Sequence, residues 1–460
     1  MMQRTKGLGL SGEDRTKLLQ RLVAGRAAAP TETRPPAAER KPVVDDLSAL
    51  DSYKQFQMIR SVAEILGIAD PFFRAHDGIA GAETKIGGRS FVNFSSYNYL
   101  GLNGHPEIAE AAKAAIDRYG TSVSASRIVS GERPIHRELE QRLAALHGSE
   151  DCITLVSGHA TNVSVIGHLL GKGDLILHDA FIHNSAVQGA QLSGALRLTF
   201  PHNDAAAARR LLEEQAPRHR RVLVVVEGHY SMDGDLADLP AFAQMTRQHK
   251  AWLLVDEAHS VGVVGATGRG AAEHFGLGPD SADLWMGTLS KTLAGCGGYI
   301  AGRRELIDYL KLSTPGFMYS VGMSPPVAAA AIAALGILER EPERVARLHA
   351  VAARFLAGAR DAGLDAGSSV GLGIVPIITG SSILAARLSD ALFRRGINVQ
   401  PILYPAVPEQ SARLRFFLSS DHTHDQIDAT ISALAEEHAR LSLQSVDLSA
   451  LASELRQRHF

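Results

Sequence analysis

Three short stretches of the chain hold residue types that could do chemistry together. Residues 252–260 (WLLVDEAHS) run from an apolar stretch into Asp256, with Glu257 and His259 just beyond it. A carboxylate at the end of a buried strand is costly unless it meets a cation. A protonated pyridine nitrogen would suit it, as would a nearby arginine or a metal ion. Residues 286–292 (MGTLSKT) place Thr288, Ser290 and Lys291 after a second apolar run, and small residues follow at 294–298 (AGCGG). A lysine on such a strand-end turn can form a Schiff base once desolvation or neighbouring cations lower its pKa. A solvated surface lysine would explain the charge but not its Ser/Thr neighbours or the small residues around it. Residues 152–162 (CITLVSGHATN) read as a strand entering Ser157 and Gly158, with a helix starting near Ala160. Amides at a helix N-terminus suit a phosphate, and glycine lets the backbone approach it closely. Strand–glycine–helix turns are frequent, so this third stretch is weak alone. Together the three supply a phosphate seat, an acid for a ring nitrogen and a Schiff-base lysine.

These residues need a scaffold that puts strand ends side by side. Short apolar runs at 152–156, 174–177, 196–200, 222–226, 252–255, 284–286 and 299–301 read as strands. Several are apolar throughout, as strands covered on both faces are. Amphipathic stretches such as 134–146 and 239–248 read as helices between them. That succession predicts an α/β domain with a mostly parallel sheet, whose ligands sit beyond the carboxyl ends of the strands. After the prolines at 325 and 326 a long Ala-rich helix runs to about Glu339 and leads into a smaller C-terminal α/β region. There 375–378 and 413–418 read as strands, and 386–395 and 423–441 as helices. The expected organisation is an N-terminal extension over 1–45, a segment over 46–105, a large cofactor domain over 106–325, a small domain over 326–442 and a tail over 443–460. Within the extension, residues 11–23 form a short amphipathic helix with Leu18, Leu19, Leu22 and Val23 on one face, and 27–42 read as a flexible linker.

Composition narrows the function classes. Of 460 residues, 45% are apolar and 21% charged, and the formal net charge of -2 gives no whole-chain attraction to nucleic acid or anionic lipid. Cys152 and Cys296 lie far apart and form neither a metal spacing nor a disulfide framework. No bound metal is expected. The first ten residues lack a secretory apolar region, and no run of about 18 apolar residues exists to span a bilayer. A cytoplasmic enzyme is the expectation.

At the level of motifs the chain resembles the α-oxoamine synthase family. Residues 256–259 (DEAH), 265–270 (GATGRG) and 287–291 (GTLSK) carry the resemblance. Residues 96–101 (SYNYLG), 227–235 (EGHYSMDGD) and 412–416 (ARLRF) fit the family's other signatures in the same order. The likeness covers roughly residues 91–441. It implies fold type I of the pyridoxal-phosphate transferases, like aspartate aminotransferase, usually as a homodimer with active sites at the interface.

Carried onto this sequence, the resemblance implies that Lys291 is the Schiff-base lysine and that Asp256 faces the pyridine nitrogen. It implies that His183 stacks on the ring, while His259 and Ser231 approach the ring 3′-oxygen. Thr288 and the backbone of Gly158 and His159 would hold the phosphate, and Ser320 would offer a hydroxyl to the partner subunit's phosphate. Family members often have an aromatic residue at the position of His159, and a second hydroxyl at that of Val321. Arg415 would grip the substrate carboxylate, a bidentate task that suits a guanidinium, with Asn98 as a second contact. Arg413, two residues earlier on a strand, should point the same way, so the pattern alone does not separate the two arginines. Arg127 and His136 fall in a family stretch without an assigned role.

The implied reaction joins the α-carbon of a small amino acid to an acyl thioester, usually with loss of carbon dioxide, to give an α-amino ketone. Another fold type I enzyme, such as an aminotransferase, would share Asp256 and Lys291, and a non-catalytic binding protein of the same fold would not need them. Glycine, alanine and serine all remain open as substrates. The N-terminal extension resembles segments that attach enzymes to polyketide or peptide assembly lines, so the donor is either acyl-coenzyme A or an acyl carrier protein. Deleting residues 1–43 should therefore leave turnover of a free thioester nearly unchanged and raise KM for a carrier-bound one, because docking raises local concentration. Steady-state kinetics with both donors checks this, and equal loss with both would refute the docking role.

Overall fold

The computed structural model describes residues 45–444 and Glu454. The helix expected at 11–23, the linker and most of the tail lie outside the described residues. The chain divides between Arg60 and Ser61 into two units. In the first, a 3₁₀ turn over Leu47–Ala49 is capped by Asp46, whose carboxylate accepts from the Ser48 amide at 2.9 Å, and the helix Asp51–Ile65 begins.

The second unit is built on three sheets. Thirteen strands run in chain order: β1 (Glu83–Ile86), β2 (Arg89–Asn93), β3 (Asp151–Leu155), β4 (Leu175–Asp179), β5 (Leu196–Phe200), β6 (Val222–Glu227), β7 (Trp252–Asp256), β8 (Leu284–Thr288), β9 (Gly298–Gly302), β10 (Ile374–Ile378), β11 (Ile397–Asn398), β12 (Gln400–Ile402) and β13 (Arg413–Phe417). The large sheet has the order β3-β9-β8-β7-β6-β4-β5. Strands β8, β7, β6, β4 and β5 are parallel neighbours, and only β9 runs against the rest. The expected mostly parallel sheet is present.

Its apolar strands are covered on both sides, and their alternation shows how. In β6, Val222, Val224 and Val226 pack into one core, while Leu223 and Val225 pack into another. The first core takes side chains from helices Pro134–His147, Ala205–Gln215, Leu239–Gln248 and Pro325–Arg340. The second takes them from Gly158–Leu169, Asn184–Ser193 and Arg304–Ser313. A strand desolvated on both faces has no place for a charge except at its ends. Accordingly β4 ends in Asp179, β6 in Glu227 and β7 in Asp256, all buried.

The C-terminal region adds a small antiparallel sheet, β10-β13-β12, against helices Glu343–Asp361 and Ser382–Arg394, on which His424–Ser442 packs in turn. The strands read at 375–378 and 413–418 correspond to β10 and β13. The third sheet, β1-β2-β11, was not anticipated. Its hairpin turns on Gly87 and Gly88, at φ +57° and +77°, where a side chain would be strained. A Gly-Gly pair between short alternating runs is a hairpin signal, and it lay in the sequence unused. Among the described residues no helix is long and apolar enough to cross a membrane.

Asp179 shows how a strand-end charge is held. Its carboxylate accepts from the Phe181 amide at 2.7 Å, the Asn203 amide at 2.7 Å, the Tyr230 hydroxyl at 2.9 Å and His202 Nδ1 at 2.9 Å. His202 also reaches Asp235 with Nε2 at 3.1 Å. Burial opposes the imidazolium, but the two aspartates outweigh it and push its pKa up to about 10. A raised histidine pKa gives stability that is present in full below the unfolded value and lost as pH rises through the folded one. His202→Ala should therefore lower Tm near neutral pH, and the gap to the parent should close as pH passes about 10. Thermal melts across that range check it, and a gap independent of pH would show that the ion pair contributes nothing.

Candidate active site

The carboxyl ends of β6, β7 and β8 open onto one cleft. In the parallel register Glu227 pairs with Asp256, and Asp256 with Met286, so the residues after each strand emerge side by side. Asp256 is 4% exposed, and both its oxygens are engaged: Oδ2 accepts from Asn162 Nδ2 at 2.9 Å and Oδ1 from the Ala258 amide at 3.0 Å. Asn162 also donates to Ser185 Oγ at 3.0 Å, and Ser185 Oγ bonds His183 Nδ1 at 2.7 Å. A single polar chain thus ties Asp256 to His183. Asn162 and Ser185 had no sequence motif to mark them.

Lys291 sits half-buried in the turn after β8, its Nζ 5.5 Å from the centre of the Tyr97 ring. Burial lowers its pKa, with Asp256 and Glu227 opposing and Arg415 assisting. Thr288 Oγ1 meets Ser290 Oγ at 2.8 Å and donates to the Gly297 carbonyl at 2.9 Å. Beside it the helix Gly158–Leu169 starts, with Ser157 as cap. A Cβ at Gly158 would lie 2.8 Å from Thr288 Oγ1, so only glycine lets this helix start come so near the threonine. The His159 and His183 rings meet edge to face at 6.4 Å.

On the other side stands β13. Arg413 is 3% exposed and committed: it donates to Asp233 Oδ1 at 2.6 Å, the Met232 carbonyl at 3.0 Å and the Ser411 carbonyl at 2.8 Å. Arg415 donates only through Nη1, to the Ser231 carbonyl and Met232 Sδ, both at 3.0 Å. Its Nε is buried without a partner, and the guanidinium lies 4.6 Å over Phe417. The sequence could not separate these arginines, because alternate strand residues share a face. Their partners do separate them: Arg415 keeps donors for a ligand and Arg413 does not.

Phe417 lies parallel to the His259 ring at 6.2 Å, and His259 Nδ1 bonds the Tyr99 hydroxyl at 2.7 Å. Burial, then the nearby Lys291 and Arg415, hold the His259 pKa well below its ordinary value, so the ring is neutral. With Nδ1 taken up by Tyr99, Nε2 is the ring nitrogen left for a ligand. Ser231 is buried, its amide donating to Glu227 Oε2 at 3.1 Å. Asn98 is buried in the turn after β2, where its Oδ1 accepts from the Asn103 amide at 3.0 Å. Ser320 lies half-buried between the exposed Tyr319 and Val321. His136 and Arg127 are structural: His136 Nε2 bonds the Met323 carbonyl, and Arg127 is clamped by Glu132 and Glu140.

This donor set fits pyridoxal phosphate. A buried carboxylate with a donor on each oxygen, a desolvated lysine, a helix N-terminus beside a threonine and a buried arginine with an unpartnered N–H converge on one cleft. The class of protein follows: the family model for aminotransferase class I and II matches residues 89–434. An 8-amino-7-oxononanoate synthase from Methylobacterium nodulans is 42% identical over 357 residues, which is 77% of this chain and 89% of the relative. A serine palmitoyltransferase from S. paucimobilis, solved with bound pyridoxal phosphate and myriocin, superposes with a TM-score of 0.82 at 28% identity, covering 87% of this chain and all of that one. The 8-amino-7-oxononanoate synthase from Francisella tularensis superposes with a TM-score of 0.67 at 26% identity, covering 77% and 99%. The chain belongs to the α-oxoamine synthases, a family of fold type I pyridoxal-phosphate enzymes.

Arg415→Ala should weaken amino-acid binding roughly tenfold to a hundredfold, since a charge-assisted contact is worth ~1.5–3 kcal/mol. Arg413→Ala should lower Tm more than it changes that affinity, because it strands Asp233. Equilibrium titration with the amino acid beside thermal melts checks both, and the reverse ranking would exchange the two roles.

Proposed function

We propose that the chain condenses a small amino acid with an acyl thioester, releasing the thiol and carbon dioxide and leaving an α-amino ketone. The observation that carries the reading is the convergence of Asp256 at the end of β7, Lys291 just after β8 and the half-free Arg415 in the middle of β13. Pyridoxal phosphate, when bound, supplies a carbonyl that condenses with amines and a ring that draws electron density from the amino-acid α-carbon.

The protein's own residues do the rest. Asp256, fixed by Asn162 and the Ala258 amide, keeps a proton on the ring nitrogen. His183, pinned by Ser185, covers one ring face. Neutral His259 offers Nε2–H, and Ser231 its hydroxyl, to the 3′-oxygen. Thr288 and the amides of Gly158 and His159 hold the phosphate, and in a homodimer Ser320 reaches the partner subunit's phosphate. Arg415 binds the amino-acid carboxylate and so orients the α-carbon hydrogen. Asn98, its Oδ1 already engaged in the turn, adds Nδ2 as a second donor. Lys291, its pKa lowered by burial, takes the α-proton on Nζ. The donor is acyl-coenzyme A or an acyl carrier protein, and the setting is cytoplasmic.

Purified enzyme offered glycine, alanine or serine with coenzyme A or carrier-protein thioesters should release thiol and carbon dioxide, and product mass identifies the pair. Lys291→Ala should bind the cofactor yet lose turnover by orders of magnitude. Keto-acid-dependent transamination without thiol release would make the enzyme an aminotransferase and overturn the reading.

A further inference from the structure

Glu227 belongs to the same strand ends, yet the reaction described above gives it no part. It closes β6 directly opposite Asp256, on the neighbouring parallel strand, and is 3% exposed. Two carboxylates cannot both stay ionised so close together in a desolvated site without strong compensation. Their hydrogen bonds are unequal. Asp256 has a donor on each oxygen. Glu227 accepts one well-formed bond, from the Ser231 amide on Oε2, and the His183 amide approaches the same carboxyl more loosely, while Oε1 is buried with no partner at hydrogen-bond geometry.

We propose that Glu227 holds the proton of this carboxyl pair on Oε1, so that Asp256 alone carries the negative charge that faces the cofactor ring. This deepens the function proposed above and rests on it for the role of Asp256. Glu227 is a positioning residue. As a neutral acid it holds the Ser231 loop through Oε2 without adding a second negative charge that would favour the ammonium form of Lys291.

The charged and titratable groups around it agree. Asp256 faces it from β7, Lys291 from the turn after β8, Arg415 from β13 and Tyr230 from its own loop, and the His183 backbone borders the carboxyl. Burial, then Asp256, push its pKa up to about 8, against the Ser231 amide and Lys291. The adjacent Glu257 turns away, accepting from the Ala271 amide at 3.0 Å, and its pKa is raised to about 7 by burial.

The test is infrared difference spectroscopy of the holoenzyme between pH values below and above 8. The parent should lose a protonated-carboxyl C=O band with a midpoint near pH 8, and E227Q should lack that band while keeping the one from Glu257. The absorbance of bound cofactor should show the same transition in the parent and none in E227Q. D256N removes the like charge, so there the Glu227 midpoint should fall by at least one pH unit, or roughly 1.4 kcal/mol or more. If E227Q does not fold, the parent band and its shift in D256N decide the matter. A band kept in E227Q and abolished by D256N would put the proton on Asp256 and overturn the proposal, as would a parent spectrum without any transition near pH 8. These signals do not depend on turnover, so a wrong substrate class would leave them untouched.

Discussion

Burial of carboxylates at the ends of apolar strands is the constraint from which the rest of this site follows. The strands β4, β6 and β7 are desolvated along their length, and each delivers an acid to the same edge of the sheet. None of the three can remain there uncompensated. Asp179 is met by two amides, a tyrosine and a charged histidine. Asp256 is met by an asparagine and an amide. The loops after the strands are shaped by these needs as much as by packing. Phe181, for example, stacks on His202 at 4.4 Å while its own amide serves Asp179, which fixes the segment that carries His183.

The sequence made the large sheet legible because its strands are short apolar runs, separated by helices of clear amphipathic period. The ends of those strands could be located to within a residue or two, and so could Asp256 and Lys291. Other parts were hidden for physical reasons. The strands β1, β2 and β12 are short and partly exposed, and β11 is a buried pair of residues, so none has an apolar run to announce it. Asn162 lies on a helix that reads as apolar, and its amide becomes meaningful only where the helix crosses Asp256. The two arginines of β13 share one face, so only their partners reveal that Arg413 is a structural cation. Glu227 was visible as part of a motif, but its unmet oxygen is a fact of three dimensions.

The departures from the family's pattern fall at the rim of the cleft. His159 stands edge-on to His183, beside a helix start where Gly158 lets the backbone approach Thr288 closely. Val321 has no hydroxyl to offer, which leaves Ser320 alone in that short segment. Asp256, Lys291, His259 and Arg415 lie further in, where their burial and partners bring them together.

The loop over residues 228–235 has a mechanical meaning. It leaves the large sheet at Glu227, yet Arg413 and Arg415 of the small sheet hold its carbonyls and Asp233, and the Gly234 carbonyl accepts from the Val370 amide. A Cβ on Gly234 would lie 2.3 Å from the Ile374 carbonyl, so no cushion separates the two. Rotation of the small sheet toward the cleft cannot slide past this loop and must drag it along. Any hinge then falls at the start of the loop, where Gly228 has Glu257 and Ser260 on one side and a strand end on the other. Ser231 travels with Arg415, so a shift of that guanidinium and a shift of the serine hydroxyl become a single displacement.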